Sequence, residues 1–180
     1  MTIRVDVNAN RALMKWGTRT QVARVLWAIV GPAFRLSPRP FWAWRRLLLR
    51  AFGAQIGREV RVHPTARITM PWHLTIADQA AVGDRAILYA LGPISIGARA
   101  TVSQYAHLCA GSHDLTQASR PLIKAPIRIG ADAWVCADAF VGPHVQIGAG
   151  AVLGARAVAM KNLPAGKTGI GNPMQIKETS

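Results

Sequence analysis

From residue 56 onward the chain advances in steps of six. An aliphatic residue, often followed by glycine, is matched by a small residue four places on. The units are Ile56-Gly57 with Val60, Val62 with Ala66, Ile76 with Ala80, Val82-Gly83 with Ala86, Ile96-Gly97 with Ala100, Val102 with Ala106, and Leu108 with Ser112. The pattern stops at His113, leaves residues 114–126 without it, and resumes at Ile127. Five units follow: Ile129-Gly130 with Ala133, Val135 with Ala139, Val141-Gly142 with Val145, Ile147-Gly148 with Ala151, and Leu153-Gly154 with Ala157. Six residues turn about 600° around a helix, so no helical face could stay apolar. The step suits a short strand and a turn, repeated with a period of six throughout. Glycine is expected to supply the turn dihedrals, and the small residue lets three walls meet at a narrow axis. Stacked coils then bury one aliphatic column, which predicts a mainly β chain folded as a parallel β-solenoid.

The first 54 residues have a different character and predict a basic helical extension, with the solenoid over 55–180 and a loop at 114–126. One helix is expected near Thr20 to Val30, stopped by Gly31-Pro32, and a second near Phe41 to Phe52, closed by Gly53. On the second, Phe41, Trp44, Leu48 and Phe52 share a stripe, with Arg46 and Arg50 opposite. Of the net charge of +14, ten units belong to residues 1–58, where eleven Lys or Arg meet the single acid Asp6. That asymmetry fits an anionic partner surface. Two readings stay open: a helix packed on its own domain or a neighbouring subunit, and a basic amphipathic helix resting on an anionic membrane. No nucleic-acid reading module is visible. No apolar window is long enough to span a bilayer and the N-terminus lacks a signal peptide's apolar core, which predicts a cytoplasmic protein, peripheral at most on the inner face of the membrane. Cys109 and Cys136 read as core filler in a reducing compartment.

The hexapeptide units, "GSHD" at 111–114, "PIRIGADAWVCADAFVGPHVQIGAGAVLGARAVAMKNLPAG", "SPRPFWAWRRLLLRAFGAQIG", "PWHLTIAD" and "GNP" resemble the left-handed parallel β-helix acyltransferases. Among these the sequence is most similar to the colanic-acid-biosynthesis acetyltransferase group. The resemblance implies a left-handed coil, acetyl-CoA as co-substrate with no metal, a saccharide acceptor, and a homotrimer whose grooves hold the active sites. It implies further that the break is a loop reaching toward a neighbouring subunit.

Moving an acetyl group from sulfur to a hydroxyl requires a base near neutrality, and histidine suits that role. His113 stands sixteen residues after Gly97, where the family carries its catalytic histidine, and is the expected general base. The resemblance further assigns Ala137, Ala155 and Lys161 to coenzyme A, with Trp134 either beside it or packing between subunits. Met160 replaces the hydroxyl residue usual there, and Ala90 and Leu91 replace polar residues of the acceptor side. Asp84, Tyr89 and Asp114 remain candidate acceptor contacts, Asp114 also a candidate to orient His113. His63, His73 and His144 read as solvated turn residues, and His107 as a second residue able to line the groove. Competing readings are an amino-sugar N-acetyltransferase, a solenoid scaffold without chemistry, and a zinc hydrase, for which the spacing of His107 and His113 is wrong.

Overall fold

Three helices precede a triangular stack of short parallel strands in the computed structural model, which describes residues 4–177. The first wall is formed by Gln55–Ile56, Leu74–Ile76, Ile94–Ile96, Ile127–Ile129 and Gln146–Ile147. The second runs from Arg61–Val62 through Ala81–Val82, Thr101–Val102, Trp134–Val135 and Val152–Leu153 to Thr168–Ile170 and the antiparallel Gln175–Lys177. The third comprises Arg67–Ile68, Ile87–Tyr89, His107–Cys109, Phe140–Val141 and Val158–Ala159. Side chains alternate across each strand. In the first wall Ile56, Ile76, Ile96, Ile129 and Ile147 therefore stack inward in register. Val62, Val82, Val102, Val135 and Leu153 do so in the second. The small residues Ala66, Ala80, Ala86, Ala100, Ala106, Ala133, Ala139, Ala151 and Ala157 are all buried.

Three details of the periodicity are corrected. The step is eight, not six, from Ile68 to Ile76 and from Leu88 to Ile96, so Ile56 stacks on Ile76 and Ile76 on Ile96. The first of these wider corners holds the single turn of tighter helix at Pro71–His73. Ser112 is not the small partner of Leu108; Ala110 takes the buried place and Ser112 starts a hairpin. Nor do the repeat glycines supply the turn dihedrals. Among the corners, positive φ falls instead on Glu59, Gln79, Arg85, Arg99, Tyr105, Asp132, Asp138, His144 and Arg156, and on Gly150 and Gly166, none of which is a glycine that follows an aliphatic residue of the repeat. Gly97 and Gly130 are needed for close approach, since a Cβ on either would strike the backbone of Ala131 or Ala149 in the next coil.

The helices are α1 (Val7–Ala12), α2 (Thr18–Arg35) and α3 (Trp42–Ala51). No helix among the described residues is long and apolar enough to cross a membrane. α2 runs through Gly31-Pro32 rather than stopping there. The missing proline N–H costs one helical bond, but Trp27 and Phe34, packed edge to face at 5.9 Å, hold both halves against the core.

α3 is rotated from the expected stripe. Arg45 and Leu49 are its buried residues; of the expected stripe, Leu48 and Phe52 pack against the core while Phe41 and Trp44 stay exposed. The reason lies in the direction of the ladder. Bonds between coils run both ways, as when Gly57 N–H donates to Ile76 O and Gln79 N–H donates back to Arg58 O, because alternate residues of a parallel ladder turn both polar groups to the same side. In the first coil the carbonyls of Ile56, Val60, Val62 and Ile68 are turned the other way, toward the helices, with no coil beneath them. Arg50 donates to Ile56 O at 2.7 Å and Gly57 O at 2.9 Å, and Arg46 donates to Val60 O at 3.1 Å. Arg45 Nε reaches Val62 O at 2.7 Å, and Trp27 Nε1 reaches Ile68 O at 2.8 Å. The fully buried Arg45 also meets Ser37 Oγ and the carbonyls of Pro38 and Arg39, and lies over the Trp42 ring. Part of the N-terminal charge thus closes an open sheet edge.

Candidate active site

The break in the repeat is an antiparallel hairpin that leaves the corner between the third and first walls, pairing Ser112–His113 with Leu122–Ile123. Its base is tight: a Cβ on Gly111 would meet the Leu91 side chain at 2.9 Å. Leu91 is buried there, and Ala90 beside it is fully buried. The two positions singled out for lost polarity therefore support the hairpin. His73 accompanies them, with Nδ1 2.8 Å from Ala90 O.

His113 is exposed, and its Nδ1 lies 2.7 Å from Arg120 O. A carbonyl can only accept, so Nδ1 carries the proton and Nε2 of the neutral ring presents its lone pair outward. Asp114 does not orient this ring. Its Oδ1 accepts from Thr116 N and Thr116 Oγ1, and its Oδ2 from Gln117 Nε2. The Thr116 hydroxyl, more than the Thr116 N–H and Gln117, holds the Asp114 carboxyl below its ordinary pKa. Asp114 shapes the loop tip.

The other candidates lie elsewhere on the triangle. Asp84, Ala137 and Ala155 occupy the corner between the second and third walls, Ala137 and Ala155 in adjacent coils and Asp84 two coils before Ala137, with Gln104 between them. Ala137 and Ala155 are partly or fully exposed, and no carbonyl among the described residues accepts their N–H groups. Asp84 is engaged by the Thr65 hydroxyl and lies 3.3 Å from His63 Nδ1, so His63 is a packed partner, not a solvated turn residue. Asp84 and His63 face a cleft of about 560 Å³ that Arg39, Trp42, Arg61, Ser103 and Gln104 also line. Trp134, half exposed on the second wall, donates Nε1 to Ser103 Oγ at 2.8 Å. Lys161 and the exposed Met160 follow the third wall at the same corner as the hairpin. Tyr89 stands on the outer face of the third wall, edge-on to His107 at 6.3 Å. His107 is held between Tyr89 and Phe140, and burial lowers its pKa.

The structure thus brings together Asp84, Ala137 and Ala155 at one corner, and His113 with Lys161 at another. A six-residue wall at ~3.3 Å per residue separates the two by about 20 Å. Sequence reasoning passed over Arg120, whose backbone oxygen orients His113, and over Thr65 and Ser103, which hold Asp84 and Trp134. Thr65 and Asp84 become neighbours only once the first coils are known to advance by twenty residues.

No family model matches the sequence. Over 150 residues the chain is 46% identical to the colanic acid biosynthesis acetyltransferase WcaF of Escherichia coli (strain K12), spanning 83% of this chain and 82% of that protein. The fold resembles the hexapeptide-repeat acetyltransferase VCA0836 of Vibrio cholerae, which has also been solved with acetyl coenzyme A: the TM-score is 0.83 at 22% identity, covering 91% of this chain and 93% of that one without the ligand. A maltose O-acetyltransferase of Clostridium difficile 630 superposes with a TM-score of 0.82 at 18% identity, over 90% and 88% of the two chains.

Proposed function

The chain belongs to the colanic acid biosynthesis acetyltransferases, enzymes that transfer acetyl from acetyl-CoA, and from that premise we propose that it acetylates a hydroxyl of a surface-polysaccharide saccharide with His113 as general base. The observation that carries the reading is the His113–Arg120 bond, because in the neutral ring it puts the proton on Nδ1 and leaves the lone pair on Nε2. Nε2 takes the proton of the acceptor hydroxyl as that oxygen attacks the thioester carbonyl. The imidazolium then returns the proton to the departing coenzyme A sulfur as the carbon–sulfur bond breaks. An amine acceptor would use the same base. The choice of hydroxyl follows the O-acetyltransferase among the similar folds and the polysaccharide named for the relative.

The exposed N–H groups of Ala137 and Ala155 suit the amide-rich pantetheine arm, and Lys161 suits a phosphate as a mobile point charge. Asp84, in its polar cleft, suits acceptor hydroxyls. We further propose a homotrimer: a site needing both His113 and the Ala137–Ala155 corner closes only when the hairpin of one subunit meets that corner of the next.

An anionic membrane is proposed as a further partner. Val22, Val25, Leu26 and Ile29 form an exposed apolar ridge along α2, with Phe41 exposed just before α3 and Trp44 and Leu47 exposed on it. Arg45, Arg46 and Arg50 are committed to the first coil, so Arg19, Arg24 and Arg35 are the cations that α2 itself offers an anionic surface. The test of the activity is thiol release from acetyl-CoA against a panel of saccharides and amino-sugars, with mass spectrometry of the product. Ester formation on a sugar is expected. An amide product would reassign the acceptor, and no transfer to any acceptor would undo the reading.

A further inference from the structure

α1 is a helix no sequence signal announced, and it touches the hairpin at the atom that orients His113. The Asp6 N–H donates to Ala118 O at 2.9 Å. Asn10 Nδ2 donates to Ser119 O at 2.6 Å and to Arg120 O at 3.2 Å. Arg120 O is the same oxygen that takes the His113 Nδ1–H. A carbonyl oxygen has two lone pairs, so it can hold both donors at once. Lys15 Nζ, 3.3 Å from Asn10 Oδ1, fixes which way the amide faces, since a cation selects the oxygen and leaves Nδ2 for the carbonyls. Beyond the hairpin, Lys124 Nζ sits over the Trp16 ring at 3.9 Å, so the segment is fastened on both sides of the loop. α1 buries none of its own residues. Its contacts with the hairpin are polar, and core packing does not explain its place.

We propose that Asn10 is a positioning residue for His113: its amide holds the Arg120 peptide so that the carbonyl stays aimed at Nδ1, which keeps the histidine in the Nδ1–H form with Nε2 as base. The inference rests on His113 as the base. Without the amide the Arg120 peptide can turn, and the imidazole loses the fixed acceptor that selects its tautomer. Asn10→Asp is the sharpest variant, because a carboxylate of nearly the same size cannot donate and repels the Arg120 oxygen. Asn10→Ala removes the group, and Asn10→Gln keeps the amide on a longer stem.

The experiment uses the full chain with ¹⁵N-labelled histidine, the His113 signals being assigned by their absence from His113→Gln. Wild type and Asn10→Gln are expected in the Nδ1–H tautomer. Asn10→Asp and Asn10→Ala are expected as a mixture of tautomers. In thiol release, kcat should fall in those two on the order of 10-fold or more, since small misplacements of a catalytic group are costly. KM for acetyl-CoA should hold and the thermal midpoint should move by no more than about 2 °C, as for an ordinary surface change. An unchanged His113 tautomer in Asn10→Asp overturns the inference, as does a kcat loss matched by a large fall in the midpoint. Were wild type to release no thiol with any acceptor, the acetyl-transfer reading would fail while the tautomer still decided the role of Asn10.

Discussion

The coil stack and its N-terminal cap satisfy the same kind of group in different ways. Inside the stack, a carbonyl such as Ile76 O is met by a backbone N–H one coil away. At the open end, Ile56 O, Val60 O, Val62 O and Ile68 O are met by arginine and tryptophan side chains. Backbone pairing repeats, so it leaves a period in the sequence. Side-chain capping happens once and leaves only a composition, which here looked like a basic patch waiting for a partner. The difference shows how charge that suggests an external ligand can have an internal one.

The comparison can be broken at its strongest point. His113→Ala removes the proposed base, and turnover should fall by about 10²–10⁴-fold with coenzyme A affinity nearly unchanged; thiol release and calorimetric binding together check this. Arg45→Leu attacks the cap. It leaves Val62 O, Pro38 O and Arg39 O without their donor and should cost about 3 kcal/mol. Thermal unfolding should then begin roughly 6–12 °C lower. Gly97→Ala attacks the stack, where the new methyl meets Ala131; about 1–3 kcal/mol is expected, and an unchanged midpoint would mean that the coils can separate locally. For the apolar ridge, Ile29→Glu should weaken flotation with phosphatidylglycerol vesicles several-fold while leaving thiol release from soluble acceptors alone.

The smallest effect concerns the hairpin tip. Asp114 has its folded pKa held below the ordinary carboxylate value, chiefly by the Thr116 hydroxyl. Its contribution is therefore present above the unfolded pKa and is lost as pH falls through the folded one. Protection of the Thr116 N–H, which is bound to Asp114 Oδ1, measured against its intrinsic exchange rate at each pH, should be lost only in that acid window; loss of protection near neutrality would contradict the assignment.

What could be read in advance divides along the same line. The inward columns, such as Ile56 to Ile147, were legible because every coil repeats them. The corner glycines were seen, but their cause was misjudged: a glycine needed for close approach and one needed for positive φ look alike in sequence. The passage of α2 through Pro32 was hidden because Trp27 and Phe34 decide it by tertiary packing. Much of the candidate site was out of reach for a related reason. His113 stood out at the break in the period, yet its orienting partner is a backbone oxygen, which has no letter. Asn10 lies more than a hundred residues from the carbonyls it holds, in a stretch without pattern.

The central claim, a site made by the His113 hairpin of one subunit and the Ala137–Ala155 corner of the next, is tested most directly by mixing two inactive variants. His113→Ala supplies an intact corner, and Ala155→Trp supplies an intact base beside a blocked one. Unfolded together and refolded into random closed trimers, they should regain about a quarter of wild-type acetyl transfer, because one pairing in four joins a good base to a good corner. No activity above that of the separate variants would mean that each subunit works alone, and the shared site would be wrong.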